Sequence, residues 1–416
     1  MSAADTAGQQ EDILVQPIVF PPQILARVSP ELSLQRHLSL GFRPSLRSFQ
    51  EFRAVNVERG NLSRYSDVNT SGAPAADNNV LGSAVLRSGD VFVVTRITGG
   101  IVENSTFTTS ELRQGQMEEL DGLEGDAELL ELTADHSDIT KYTSVYPVVE
   151  VERGRMGACT DEEMTISQRL YDGILYSKLL PKESLKVVPG VRIHKDNGET
   201  EIIYPDSTQN EASATSDVAR SFIPNRHWSF VLYANVEVFG RTGPIFDLCW
   251  NSLVYALKSV KLPRVFIDER AIDLKMTVRT RGRTSVVRET YDILCDPERE
   301  DPLRLNETAI SFSSNYGIID LDPEADINDE VEEEKTSSPE NLNAPAAAAA
   351  TATVLLADID GEAEEVSIKS TLTVVGNSKG KLRHMNIVGG GATITPDVIK
   401  KSLLLARKRS KDLERR

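Results

Sequence analysis

The stretch EVFGRTGPIFDLCWN, residues 237–251, places one carboxylate, Asp247, where either an active site or a helix start would use it. The apolar residues 231–239 predict a strand, Arg-Thr-Gly-Pro predicts a turn, and the leucine spacing that follows predicts a helix over 247–260. A carboxylate at such a junction can assist catalysis. It can also accept hydrogen bonds from the free N–H groups of the helix start, which is worth about 1 kcal/mol. The second role needs no further chemistry, so we expect Asp247 to cap the helix.

Residue types that commonly bind metals are scattered along the chain. The three cysteines have no CxxC spacing and the five histidines form no cluster, so we expect no structural metal, no disulfide framework and no cofactor. The net charge of -17 argues against a free-standing protein that coats nucleic acid. The longest weakly polar run, 346–357, is shorter than the ~20 residues that a membrane span requires. We therefore expect a soluble chain with no membrane partner.

Local signals predict two successive series of strands, each accompanied by helices. Helix starts are predicted at Ser29, Thr160 and Thr395, where a capping residue precedes a proline or a capping box. The first series comprises strands over 52–57, 82–87, 91–98 and 146–151. Their spacing is typical of an antiparallel meander. The second series comprises strands over 265–267, 273–278, 286–293, 309–312, 317–321 and 366–374.

Composition divides the chain into two lobes with polar insertions. The stretches 103–138 and 196–217 and the acid-rich and alanine-rich run 322–353 are too charged or too small-sided to bury, so we expect disorder there. The expected organisation is an N-terminal tail (1–28), a first lobe (29–262), a second lobe (263–410) interrupted by the disordered loop 322–353, and a basic tail (411–416).

Several motifs together resemble the ribonuclease PH family. RPSLRSFQEFR (43–53) is similar to the family's opening motif RPDGRxxxExR, and LGSAVLRSGDVFVVTRITGGI (81–101) is similar to its first hairpin. YPVVEVERGRMG, TRGRTS and IVGGGATITPDVIKKSLLLAR also fit, so the resemblance covers about residues 18–409. It implies an α+β, two-lobed fold: a first lobe like domain 2 of ribosomal protein S5 and a smaller α/β second lobe, with the acidic disordered insertions.

The resemblance also implies that the active site is degenerate. Active members, which cleave RNA from its 3' end with phosphate, carry an acid and an arginine at the turn where this chain reads RTGPIF, and there Thr242 and Phe246 take their places. In the opening motif, Ser45 and Leu46 replace Asp-Gly. Phosphorolysis needs a cation that holds phosphate and a carboxylate that assists the reacting groups. Of these groups, only Asp247 is left beside the turn.

The motifs are most similar to those of ring subunits of the eukaryotic RNA exosome, which implies a non-catalytic subunit. It would form a heterodimer with another ribonuclease PH-like chain in a six-membered ring, with RNA-binding cap subunits on one face. Single-stranded RNA would pass through the central channel in 3'-to-5' RNA processing, including rRNA maturation, and in RNA decay. Cation–phosphate attraction leads single strands whatever their sequence. The candidate arginines are Arg96, Arg153, Arg155, Arg279, Arg281 and Arg283.

Other functions stay open at this point. An active phosphorolytic 3'-to-5' exoribonuclease could use Asp247 with a substitute cation such as Arg241. A free-standing RNA-binding adaptor is opposed by the negative net charge and by the lack of an aromatic and basic platform. The six candidate arginines could instead be salt-bridge partners. The resemblance implies localisation to the nucleus, nucleolus and cytoplasm.

Overall fold

The computed structural model shows an α+β protein with three main sheets and one helix that is almost entirely buried. It describes residues 21, 24, 27–66, 78–104, 139–154, 157–194, 198, 200–205, 227–273, 290–321 and 353–416. The tail predicted over 1–28, the two polar insertions and the loop predicted over 322–353 lie largely outside these residues. So do parts of the strands predicted over 273–278 and 286–293.

The helices of the described part are α1 (Pro30–Ser39), α2 (Asp161–Ser177), α3 (Phe246–Lys258), α4 (Glu362–Ser367) and α5 (Pro396–Glu414). Its strands are β1 (Val55–Arg59), β2 (Val80–Ser88), β3 (Val91–Asn104), β4 (Tyr142–Thr143), β5 (Tyr146–Val151), β6 (Leu180–Pro181), β7 (Lys186–Val187), β8 (Gly190–His194), β9 (Thr200–Ile203), β10 (His227–Phe239), β11 (Lys261–Asp273), β12 (Thr290–Pro302), β13 (Phe312–Asp320), β14 (Thr353–Ala357), β15 (Ser370–Gly376) and β16 (Leu382–Val388).

The first sheet has the strand order β1-β2-β3-β10-β5, and β7 also pairs with β10. β1, β2, β3 and β10 pair antiparallel, as a meander would, whereas β5 pairs parallel with β10. The prediction that the strand over 146–151 continues the meander is therefore wrong. Parallel neighbours need a crossover connection, and α2 lies in the connection between β5 and β10.

Two further sheets have four strands each, in the orders β12-β11-β8-β9 and β14-β13-β15-β16, and β4 pairs with β6 in a small two-stranded sheet. The strand predicted over 366–374 is wrong in its first residues, because Glu362–Ser367 forms α4 and β15 begins only at Ser370. Three glutamates occupy the first turn of α4, where negative charge favours a helix start.

The predicted helix starts are confirmed in position and, at two of three, in capping. Thr160 and Glu163 form the capping box of α2, and the Thr395 side chain accepts a hydrogen bond from the backbone of Val398 at the start of α5. Ser29 precedes α1 without a side-chain capping bond. Because α5 continues to Glu414, most of the predicted basic tail over 411–416 is helix.

Helix α3 lies at the centre of the core, with nearly every residue buried. The indole N–H of Trp250 donates to the carbonyl of Ser311 (2.9 Å), and the Tyr255 hydroxyl donates to the carbonyl of Leu413 (2.6 Å), which tie α3 to β13 and α5. A Cβ on Gly173 would stand 2.5 Å from the Trp250 ring, so a glycine lets α2 pack this closely. The start of α3 is thereby fixed between the first and third sheets.

Helix α1 packs with Ile319, Leu356 and Ile368 in a cluster around the third sheet. The lobe boundaries given above stay a prediction. Among the described helices, none combines the length and the apolar composition that crossing a bilayer requires. Within the same residues, no group of three or more histidine, cysteine or acidic side chains is arranged to hold a metal ion.

Candidate functional site

The turn between β10 and α3 brings Asp247 into the protein interior. The expected cap is wrong: Ile245 is the N-cap residue and makes no side-chain bond, and Asp247 is the second residue of the helix. Because α3 begins one residue earlier than predicted, Asp247 lies inside the first turn of the helix, where its carboxylate is close to the backbone N–H of Leu248. Only 8% of the residue is exposed.

The two positions at which the motif has lost its acid and its arginine are both engaged by the protein itself. Phe246 is buried, its ring packs at 6.2 Å from that of Trp250, and the Arg169 guanidinium lies 4.1 Å above it. Thr242 accepts a hydrogen bond from Arg53 (3.5 Å). A Cβ on Gly243, whose φ is +73°, would stand 2.5 Å from the Ile359 carbonyl oxygen, so the turn is closed against the segment after β14.

Arg53 and Asp358 form the centre of the site. Oδ2 of Asp358 accepts from the backbone N–H of Arg53 (2.8 Å) and from its Nε (3.0 Å), and Oδ1 accepts from Nη2 (2.8 Å). The remaining Nη1 donates to Oδ1 of Asp360 at 3.1 Å. Both Arg53 and Asp358 are buried. A bidentate, charge-assisted pair of this kind is among the strongest polar contacts in proteins.

The other two arginines of the opening motif are paired in the same way. Arg43 is fully buried and donates to Glu364 through Nε (2.8 Å) and Nη2, and to the carbonyls of Ala357 and Asp358. Arg47 reaches the carboxylate of Asp358 through Nη1 (3.3 Å) and that of Asp360 through Nη2 (3.3 Å). Carboxylates of this chain therefore hold each motif arginine.

Arg241, the substitute cation considered above, is also engaged. Its Nη2 donates to Glu162 (3.0 Å) at the start of α2 and to Glu365 (2.7 Å) in α4. Glu365 in turn accepts from the backbone N–H of Gly243 (3.3 Å). These bonds join α2, α4 and the turn before α3.

Burial and charge shift the acids of the site in opposite directions. Burial by itself would raise the pKa of Asp358, but the hydrogen bonds and charge of Arg53 together hold it below its ordinary value. Burial and the nearby charge of Asp358 raise the pKa of Asp247 to about 7, with Arg53 opposing the shift. At a pH between these two pKa values, Asp358 is therefore ionised and Asp247 is protonated.

The family model of the 3' exoribonuclease family RNase PH, domain 1, matches residues 51–263, which is just over half of the chain. The chain belongs to the RNase PH family. This confirms the family that the motifs predict, and with it the RNase PH-like α+β fold class.

Several relatives cover nearly the whole chain. The exosome complex component rrp43 of Schizosaccharomyces pombe is 21% identical over 393 residues, which is 94% of this chain and 97% of that protein. A chain of the Archaeoglobus fulgidus exosome with RNA bound to the active site has a TM-score of 0.48 and 12% identity, and covers 94% of this chain and 98% of its own. A chain of an archaeal exosome core has a TM-score of 0.45 and 14% identity, over 95% and 100%.

Two of the predicted RNA-contacting arginines, Arg96 and Arg153, lie within the described residues, and both form ion pairs. Arg96 on β3 pairs with Glu237 on β10. Arg153 lies 3.6 Å from Glu162 and 3.7 Å from Glu163. Both are therefore salt-bridge partners within the chain. Arg155, Arg279, Arg281 and Arg283 lie outside the described residues, so their role stays a prediction.

Sequence reasoning missed the acids that complete the site: Asp358, Asp360 and Glu364. They follow β14 in the stretch ADIDGEAEE, which reads locally as the end of a strand. Their partners Arg43 and Arg53 stand more than 300 residues away in sequence. The signal that could have found them is charge balance, because the buried motif arginines Arg43 and Arg53 require acids from elsewhere.

Leu46, which stands where the family motif has glycine, has a φ of 61° in the left-handed region that favours glycine, and 82% of the residue is exposed. For a residue with a Cβ, this left-handed backbone conformation is about 1–2 kcal/mol less favourable than the right-handed one. We expect Leu46→Gly to raise the free energy of unfolding by about 1 kcal/mol, part of the relief being offset by glycine's freedom in the unfolded chain. Denaturant unfolding measures it. Leu46→Ala, which retains the Cβ, is the control, and equal stability of the two variants would contradict the explanation.

The raised pKa of Asp247 makes stability depend on pH. Between its ordinary pKa and about 7, the folded chain holds a proton that the unfolded chain has lost, so stability falls as pH rises through this window. Asp247→Asn removes this contribution. We expect the stability of the wild type relative to Asp247→Asn to fall by about 3 kcal/mol from pH 5 to pH 8. Denaturant unfolding at both pH values measures it, and parallel pH profiles for the two proteins would refute a neutral Asp247.

Proposed function

We propose that this chain is a non-catalytic ring subunit of an RNA exosome. The observation that carries the proposal is the pairing of Arg43, Arg47 and Arg53 with carboxylates of the same chain. Phosphorolysis brings an anionic phosphate to an anionic backbone, and it needs cations that are free to compensate both. The exosome relative that spans nearly the whole chain supports the assembly in which such a subunit works.

The turn before α3 supports the same proposal. Phe246 offers no charge for phosphate, and its ring is covered by Arg169. Arg241, the substitute cation considered above, is already paired with Glu162 and Glu365. Ion pairs of Arg241 and of the motif arginines with internal acids stabilise the fold and do not stabilise a transition state.

The edge of the first sheet offers a surface for a neighbouring ring subunit. Within the described residues, β5 pairs with β10 and with no other strand, which leaves its second edge open. Tyr146 and Val148 on this strand and Met164 on α2 are half exposed or nearly so, beside a groove of about 420 Å³. An apolar, unpaired edge favours pairing with another chain.

In this proposal the ring subunit contacts other RNase PH-like chains and an RNA-binding cap subunit, and it forms part of the channel wall for single-stranded RNA. The RNA is led toward 3'-to-5' processing, rRNA maturation or decay. Localisation to the nucleus, nucleolus and cytoplasm belongs to the same proposal. The sequence motifs that resemble exosome ring subunits support these finer statements.

One observation favours the competing function, an active phosphorolytic 3'-to-5' exoribonuclease. The pKa of Asp247 at about 7 is suited to general acid or base catalysis. The residue is nevertheless buried, and burial beside Asp358 accounts for the shift without any catalytic demand. The phosphorolysis assay described below therefore distinguishes the two functions.

The proposal is tested with a tagged chain recovered from cells, with mass analysis of the partners. We expect the wild type to recover other RNase PH-like chains and a cap subunit. Val148→Lys places a charge on the open edge of β5 and should weaken recovery at least about tenfold, which corresponds to about 1.4 kcal/mol. Val366→Lys is the matched control, because Val366 is a similarly exposed valine on α4. Full recovery by Val148→Lys would show that β5 is not the interface.

The same recovered complexes are used to test whether this chain catalyses phosphorolysis. They are incubated with RNA in phosphate buffer, and release of nucleoside diphosphates is measured for the wild type and for Asp247→Asn. We expect equal release from both complexes, since Asp247 takes no part in any phosphorolysis by neighbouring chains. Release that disappears in Asp247→Asn, with the partners still bound, would establish the active enzyme instead.

A further inference from the structure

The C-terminal half of α5 forms one side of a groove of about 550 Å³ on the surface. The residues that line it are Ser378, Leu404, Arg407, Lys408, Lys411, Glu414 and Arg415. Those from α5 recur three or four positions apart, so they share one face of the helix. This groove is separate from the arginine–carboxylate site and from the open edge of β5.

The charge of the groove is opposite to that of the chain. Four of its lining residues are cations and one is an acid, in a protein whose net charge is -17. Among the ion pairs between described residues, none includes Lys408, Lys411 or Arg415. On the same helix, Lys400 is paired with Asp397. The groove therefore carries positive charge that the described part of the chain does not neutralise.

Arg407 joins this face of α5 to the carbonyl of Ser378 (3.4 Å), whereas Lys408, Lys411 and Arg415 are exposed. The helix is held by its opposite face, where Val398, Ala406 and Leu413 are buried against the core. In the groove itself, 69% of Leu404 is exposed. A single exposed apolar side chain is common on protein surfaces, so the indication of a partner comes from the cations around it that form no ion pair among the described residues.

We propose that this groove binds an acidic protein segment that carries apolar side chains, in a contact beyond the ring assembly. Carboxylates would pair with Lys408, Lys411 and Arg415, and an apolar side chain would cover Leu404. Single-stranded RNA fits less well, because surfaces that bind it add aromatic side chains on which bases stack, and no aromatic residue lines the groove.

The test uses the full chain and two fluorescein-labelled peptides, one of repeated Glu-Glu-Leu and one of repeated Gln-Gln-Leu. We expect the acidic peptide to bind, the neutral one not to bind, and the affinity to fall with added salt. The double variant Lys408→Glu and Lys411→Glu should weaken binding about tenfold or more. These residues are exposed, so the variant should keep the wild-type unfolding temperature.

The matched control is the double variant Lys400→Glu and Lys401→Glu, which makes the same charge change on the same helix outside the groove. We expect it to bind the acidic peptide within about twofold of the wild type. Equal losses in both double variants would mean that net charge alone attracts the peptide, and would overturn the proposal. So would tighter binding of a labelled oligouridylate than of the peptide at the same groove, which would assign the surface to RNA.

Discussion

The buried ion pair of Arg53 and Asp358 is the interaction on which the rest of the site depends. Asp358 accepts from both the backbone and the guanidinium of Arg53, so the pair fixes main chain and side chain together. Among the described residues, removal of Arg53 would leave Asp358 with only its longer ion pair to Arg47, and removal of Asp358 would leave Arg53 with only its ion pair to Asp360. The cost of breaking a buried pair is about 3–5 kcal/mol when no other partner remains, which is the upper bound here. Two segments more than 300 residues apart in sequence are thereby held at one point, beside the start of α3.

Around this pair, the other arginines of the family motif connect separate elements of the fold. Arg43 binds α4 through Glu364, Arg47 binds Asp358 and Asp360, and the turn before α3 is closed under the segment after β14. An external phosphate would have to displace carboxylates that the fold already holds at bonding distance. The raised pKa of Asp247 is a consequence of the same burial, since the ionised Asp358 disfavours a second negative charge nearby.

The sequence predicts well the features that neighbouring residues decide. The capping box of Thr160, the cap at Thr395 and the strands of the first hairpin depend on contacts a few residues apart, and they are found as expected. The burial of Asp247 and its pairing environment depend on Asp358, far along the chain, and local patterns cannot show it. The predicted antiparallel pairing of the strand over 146–151 is wrong because the alternation of side chains along a strand does not distinguish parallel from antiparallel neighbours. The resemblance places Arg43, Arg47 and Arg53 in a family motif without assigning them a role. Only the folded chain shows that they pair with internal carboxylates.

Internal carboxylates pair with Arg43, Arg47 and Arg53, so we expect that these arginines are not free to bind phosphate. The most direct measurement is the thermal unfolding midpoint of the chain as inorganic phosphate is raised, with sodium chloride keeping the ionic strength constant. A ligand that binds only the folded state raises the midpoint by mass action. The account predicts no rise specific to phosphate. A phosphate-specific rise that Arg47→Met abolishes would contradict it.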